Sequence, residues 1–220
     1  MIERRIVIVP AGPVGTGADA ELSAQPGPVG VRVDTTAIVL AGGRSRRFGS
    51  DKLAADVDGR PMLAHVVDAA AAVAAVVLVA GSSALPDPEP YGGPLFGLLA
   101  ALARVRTPNV LLLAGDMPWV RPPVLERLLE ALDVLDAPGF APATAILLET
   151  DDPWHPFPSA FRTAAAASAA GAAVTAGRRA LRACFERLDV AYLAEASWRA
   201  VDPDGASLRD VDLPGDLGGT

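Results

Sequence analysis

The chain has 220 residues, with 19 Lys and Arg against 26 Asp and Glu, a formal charge of −7. That length suits one domain, and area scaling buries about 70% of the surface of an unfolded chain of this size, so a core forms without staples. The acidic balance leaves no basic field for a nucleic-acid backbone, and the single cysteine, Cys184, excludes an intrachain disulfide and any cysteine-based zinc site. No segment reads as a signal sequence, and none reaches about 18 uninterrupted apolar residues, so the expectations are no membrane, no nucleic acid and a cytoplasmic setting.

Residues 1–34 are compositionally apart. A β-like run, Ile6 to Val9, precedes Gly- and Pro-rich stretches without periodicity. This part is read as an N-terminal extension, flexible or docked, and residues 35–220 as one domain. The glycines there match neither G-x-G-x-x-G nor a P-loop.

From Thr36 onward, short apolar runs alternate with helical stretches. Ala37 to Leu40, Val76 to Val79 and Val110 to Leu113 read as strands buried on both faces. Pro61 to Ala75, Pro94 to Val105 and Pro122 to Leu132 read as helices, the first entered through an Asp58-Gly59 turn. Thr144 to Leu148 and Val190 to Leu193 read as further strands. The spacing predicts a basic amphipathic helix over Gly177 to Leu188. The alanine tract Ala164 to Ala173 is a helix packed closely on a sheet or one lying on the surface. Alternation of this kind predicts an α/β fold, a three-layer α/β/α Rossmann-like architecture whose central sheet is mostly parallel. Such sheets bind ligands beyond the carboxyl ends of their strands.

The first of these strands runs into Leu40-Ala41-Gly42-Gly43-Arg44-Ser45-Arg46-Arg47-Phe48-Gly49-Ser50-Asp51-Lys52. Paired glycines let backbone N–H groups approach anionic oxygens, and four cations in nine positions supply the charge that a triphosphate requires. A solvated basic loop is the alternative. The third strand ends in Gly115-Asp116-Met117-Pro118, setting a carboxylate at the sheet edge, where it can hold Mg²⁺ through one oxygen or cap the following helix. Asp210 and Asp212 alternate, so in an extended segment both face one way, and either can complete a metal site. His65 lies mid-helix and reads as a packing or surface residue.

Taken together, these segments resemble the molybdenum cofactor guanylyltransferases, the MobA-type branch of the Rossmann-like nucleotidyltransferases. The resemblance spans about residues 36–218. It is carried by Leu40-Ala41-Gly42-Gly43 through Arg47, Gly49, Asp51 and Lys52; by Gly93-Pro94-Leu95-Phe96-Gly97; by Gly115-Asp116-Met117-Pro118; by His155-Pro156 with Ala160-Phe161-Arg162; by Gly177-Arg178-Arg179; and by Asp210-Val211-Asp212-Leu213-Pro214.

The resemblance implies that Leu40, Ala41, Gly42 and Gly43 contact the nucleotide through backbone atoms. It gives Arg47 and Lys52 the phosphates, Asp116 and Asp212 the Mg²⁺, and Asp87 a further nucleotide contact. It makes Arg47, Lys52 and Asp116 the catalytic set. His155, Arg178 and Arg179 fall to the acceptor half, about residues 119–220, and the nucleotide half is about 35–118. The implied reaction is transfer of GMP from GTP to molybdopterin with release of pyrophosphate, with proteins that deliver or receive the cofactor as further partners. Phe48 stands where the family usually has Met, Ala80 where some members have a base-contacting Asn, and Asp212 where its guanylyltransferases carry Asn. The doubled glycine resembles the guanylyl branch more than the cytidylyl one. The alternatives are a cytidylyl or other nucleotidyl transfer to molybdopterin, a sugar phosphate or a lactyl phosphate, and a nucleotide-binding module without catalysis.

Overall fold

The computed structural model describes residues 5–7, 30–42, 52–82, 85–86, 92–136, 143–152, 154–213 and 215–216. Its strands are β1 (Arg5–Val7), β2 (Arg32–Leu40), β3 (Asp56–Val57), β4 (Arg60–Pro61), β5 (Ala74–Ala80), β6 (Asn109–Ala114), β7 (Ala145–Leu148), β8 (Ser159–Arg162) and β9 (Val190–Leu193). Its helices are α1 (Met62–Ala71), α2 (Pro94–Leu102), α3 (Pro122–Val134), α4 (Thr163–Thr175), α5 (Arg182–Phe185) and α6 (Glu195–Arg199), with 3-10 turns at Lys52–Ala54 and Ala206–Leu208.

Seven strands form one sheet in the order β1-β9-β7-β8-β6-β2-β5. Only β8 runs against its neighbours; the other pairings are parallel. The two-residue period of the strands divides the core. Ala37, Val39, Leu111, Leu113, Ile146 and Leu148 face α1, α3 and α6. Ile38, Leu40, Val110, Leu112, Ala145, Leu147 and Phe161 face α2, α4 and α5. Runs apolar at every position are what a sheet covered on both sides demands. The result is the three-layer α/β/α architecture with a mostly parallel sheet expected from the alternation.

The short β3–β4 hairpin turns at Asp58-Gly59, both with positive φ (49° and 80°), which matches the right-handed twist of a tight hairpin. It delivers Pro61 to the start of α1. The alanine tract is α4, and it is packed rather than superficial. Ala166, Ala169, Ala170 and Ala173 form a buried stripe at helical spacing against α2 and α5, where small side chains permit close approach.

The expected helix over 177–188 is a correction: only Arg182–Phe185 is helical. Gly177 adopts φ +72° and its N–H, like that of Arg178, returns to a carbonyl at the end of α4. It therefore ends one helix instead of opening the next. Arg178 and Arg182 both turn to Glu186, at 3.6 and 3.3 Å. At the chain's start, Arg5–Val7 pairs in parallel with Ala191–Leu193, which places a strand from the first 34 residues at one edge of the sheet.

Candidate nucleotide and metal site

At the carboxyl ends of β2, β5 and β6 the backbone continues to knit after the strands finish. The Ala41 N–H donates to Ala80 O (2.8 Å) and the Gly115 N–H donates to Leu40 O (2.9 Å). Gly81, at φ +89°, lies so close to this turn that a Cβ on it would stand 2.6 Å from Gly42 N. Only glycine permits that approach, and it fixes the path of the Ala41-Gly42 turn, whose Gly42 is exposed.

Lys52 opens the 3-10 turn that follows, and its ammonium is the hub of the site. Nζ donates to Asp116 Oδ2 at 2.9 Å and to Asp212 Oδ1 at 3.2 Å. The lysine side chain is 13% exposed, against 30% for Asp116 and 66% for Asp212, so the contact runs from the interior to the rim. Burial works against the ammonium's charge. The hydrogen bonds and charges of Asp116 and Asp212 outweigh it and hold the group above the ordinary lysine range.

These residues lie 64 and 160 positions apart from Lys52 in sequence, and the fold brings them together by identifiable means. Asp116 follows β6 directly. The helix after it, α3, begins at Pro122 behind Arg121, so Asp116 does not cap it. Asp212 is placed by the C-terminal segment. The Val211 N–H donates to Asp116 O at 2.9 Å, and the Val211 side chain is buried with Val57 and Met62. Upstream, the fully buried Asp202 accepts from the Ala206 and Ser207 N–H groups (3.0 and 2.8 Å) and pairs with Arg121 (3.3 Å). Downstream, Asp216 accepts from the Asp212 and Leu213 N–H groups at 2.8 Å each, and these bonds hold its carboxyl below the usual range. Asp202 and Asp216 were not singled out from sequence. Their signals are the Asp202-Pro203-Asp204-Gly205 run and the Asp216 four residues after Asp212, both compositions of turns whose carboxylates bond to their own backbone.

A cavity of about 330 Å³ opens beside this group. Leu40 and Gly42 after β2, Ala114, Asp116 and Met117 after β6, His155, Pro156 and Phe157 before β8, and Pro94 and Asp210 line it. Sheet order explains the arrangement. β6 lies between β2 and the reversed β8, so the end of β2, the end of β6 and the start of β8 share one edge.

Leu40, Ala41, Gly42, Lys52, Asp116 and Asp212 thus converge, and Asp210 joins them at the cavity. Arg178 does not: it is half exposed and directed at Glu186. Arg179 lies near α2, its guanidinium 5.7 Å from the Phe96 ring and its carbonyl 3.0 Å from where a Cβ on Gly93 would be. Gly43, Arg47 and Asp87 lie outside the described residues, as do Arg44, Arg46 and Asp51. His65 hydrogen-bonds the Val57 carbonyl at 2.8 Å, a packing role as expected.

The donor set suits a hard divalent cation. Two carboxylates converge on one ammonium, and no cluster of three or more His, Cys, Asp or Glu occurs among the described residues. Mg²⁺ dehydrates reluctantly and is held by one or two carboxylates, its remaining positions going to water and phosphate oxygens. Asp116 and Asp212 therefore fit such an ion completed by a polyphosphate. Among the described residues no helix is long and apolar enough to cross a membrane.

A glycine-lined turn beside a carboxylate and a lysine, at the carboxyl ends of neighbouring parallel strands, is where an α/β protein of this kind binds its ligand. Residues 37–192 match the model of the MobA-like NTP transferase domain, and the chain belongs to that family. It is a nucleotidyltransferase. A relative from Chloroflexus aggregans, named probable molybdenum cofactor guanylyltransferase, is 30% identical over 85% of this chain and 93% of its own length. One of the same name from Trichormus variabilis is 40% identical over 44% of this chain, an alignment spanning about half, 53%, of that relative. The crystal structure of molybdopterin-guanine dinucleotide biosynthesis protein A from Archaeoglobus fulgidus superimposes with a TM-score of 0.65. It is 24% identical and covers 83% of this chain and 94% of that one, a likeness of fold.

Proposed function

We propose that this nucleotidyltransferase joins the terminal phosphate of molybdopterin to the α-phosphorus of GTP in a Mg²⁺-dependent reaction. A phosphate oxygen of the acceptor forms a bond to the α-phosphorus, the bond from that phosphorus to its β-bridging oxygen breaks, and pyrophosphate leaves. The observation that carries this reading is Lys52, hydrogen-bonded at once to Asp116 and Asp212 beside the turn that ends β2. The name shared by the Chloroflexus and Trichormus relatives supports the choice of GTP and molybdopterin.

The attacking phosphate is already an anion at neutral pH, so the site needs no activated Ser or Cys and no general base. The task is electrostatic: three anionic groups must be held together in line. The Ala41-Gly42 turn, with Gly42 exposed, lies against the polyphosphate. Lys52, kept charged by its two carboxylates, and Arg47 meet the charge that grows on the departing pyrophosphate. Asp116 and Asp212 would hold Mg²⁺, which when bound would supply neutralising charge to the polyphosphate.

The test is pyrophosphate release measured with Mg²⁺, molybdopterin and each of GTP, CTP, ATP and UTP. GTP is expected to exceed the others by at least tenfold in kcat/KM. Preference for CTP would turn the reading to cytidylyl transfer, and no turnover with any nucleotide would leave a binding module.

A further inference from the structure

The chain carries one lysine. Of its 19 Lys and Arg residues, 18 are arginine, and the single exception, Lys52, stands where the two candidate metal carboxylates meet. The two cations differ in kind. A guanidinium is a planar fork with its charge spread out, whereas an ammonium is a compact point charge with three donors on a flexible stem. Of the two, the compact one resembles a metal ion in drawing several oxygens to one centre.

Lys52 Nζ draws them in that way, at 2.9 Å from Asp116 Oδ2 and 3.2 Å from Asp212 Oδ1. These are the same side chains that fit Mg²⁺, an ion that takes its oxygens at about 2.0–2.1 Å. A dication and an ammonium between one pair of carboxylates would be like charges a few ångströms apart, so the pair serves one cation at the other's expense. Access favours exchange. The Lys52 side chain is more buried than either carboxylate, and Asp116 lines the cavity with Leu40 and Gly42 whereas Lys52 does not.

We infer that Lys52 competes with the divalent cation for Asp116 and Asp212, and that this competition makes the site take its cation together with a polyphosphate rather than alone. The inference rests on the proposed role of the two carboxylates as metal holders. A polyphosphate in the cavity offers the ammonium new anionic oxygens, and the four-carbon stem lets Nζ exchange the carboxylates for them. A dication arriving without phosphate must displace the ammonium with no anion to receive it. Metal and nucleotide therefore strengthen each other's binding, by the same factor in either order of addition.

The test is Mn²⁺ binding without nucleotide, followed by electron paramagnetic resonance. Lys52→Gln removes the competing charge and should bind Mn²⁺ at least about tenfold more tightly than wild type, where loss of an ordinary site residue would weaken binding. Lys52→Met, which keeps an apolar stem, should gain likewise. Adding Asp116→Asn to Lys52→Gln should return affinity to within about threefold of wild type. Unchanged or weaker Mn²⁺ binding in both single variants, each shown folded by circular dichroism, would overturn the inference, as would a gain that survives Asp116→Asn. The two readings fail separately. If Asp116→Asn alone leaves nucleotide-dependent Mn²⁺ binding intact, the metal assignment falls; if it weakens that binding while Lys52→Gln gains nothing, only the competition falls.

A second readout uses the lone lysine, whose ε-carbon gives a single side-chain signal in ¹³C-lysine-labelled protein. Mg²⁺ with a nonhydrolysable GTP analogue should shift that signal, and the same concentration of Mg²⁺ alone should leave it in place. A signal unmoved once the analogue has bound, or moved equally by Mg²⁺ alone, would overturn the exchange.

Discussion

At the amino-terminal ends of β2 and β6, charge is matched within the protein. Arg32 holds Asp34 and Asp133 at 2.9 and 2.7 Å, the buried Asn109 donates to Asp34, and Arg162 binds Asn109, the Leu132 carbonyl and Asp136. At the carboxyl ends of the same strands one ammonium is shared by two carboxylates, beside a glycine turn and a cavity. One end closes the sheet by completing its polar groups. The other sets its polar groups beside a cavity, the arrangement on which the proposed binding of an anionic ligand and a metal rests.

Substitutions at the two ends should therefore separate stability from turnover. The largest effect is expected at Asp116. Asp116→Asn preserves shape and a hydrogen-bond acceptor but removes the charge proposed to hold the metal; turnover should fall at least about a hundredfold, roughly 2.7 kcal/mol, with little change in Tm. Retention of activity to within tenfold, about 1.4 kcal/mol, would exclude Asp116 as a metal ligand. Arg162→Ala should do the reverse. It leaves the buried Asn109 and the Leu132 carbonyl short of a donor and costs about 2 kcal/mol, a Tm fall of about 4–8 °C by thermal denaturation, with kcat within twofold.

Asp202 links the two kinds of effect. Asp202→Ala orphans two backbone N–H groups, leaves Arg121 with Asp204 alone of its two carboxylates, and loosens the segment that delivers Asp212. Thermal denaturation should show a loss of about 1–2 kcal/mol, and a Mg²⁺ titration of turnover should show a severalfold higher half-saturating concentration. An unchanged Mg²⁺ requirement would detach Asp212 from the metal. The smallest effect is at Asp34. The hydrogen bond from Arg32 holds its carboxyl below the usual value near 3.9. Its contribution is therefore present at neutral pH and is lost as pH falls through the ordinary carboxylate range toward the lowered value. Because Asp34 is partly exposed, the loss should be modest, and Asp34→Asn should flatten the slope of Tm against pH below about 4.

Much of the fold was legible because burial on both faces leaves unbroken apolar runs, as in Ala37 to Leu40 and Val110 to Leu113, and because Pro94 and Pro122 mark helix starts. The 177–188 stretch misled for a local reason: charges at helical spacing say nothing of a glycine in the left-handed region that ends the preceding helix. The residues that converge at the strand ends, Gly42, Lys52, Asp116 and Asp212, were legible as candidates in that order. Asp202 and Asp216 stayed hidden because their work is to bond backbone N–H groups, which leaves no charge pattern.

The central claim is that Asp116 and Lys52 hold a divalent cation and a nucleotide polyphosphate together. Binding of Mn²⁺ in place of Mg²⁺, followed by electron paramagnetic resonance with and without a nonhydrolysable GTP analogue, tests it directly. Wild-type protein should bind Mn²⁺ far more tightly with the nucleotide than without it, and Asp116→Asn should lose at least tenfold of the nucleotide-dependent affinity. Equal Mn²⁺ binding by the two proteins in the presence of the nucleotide would contradict the account.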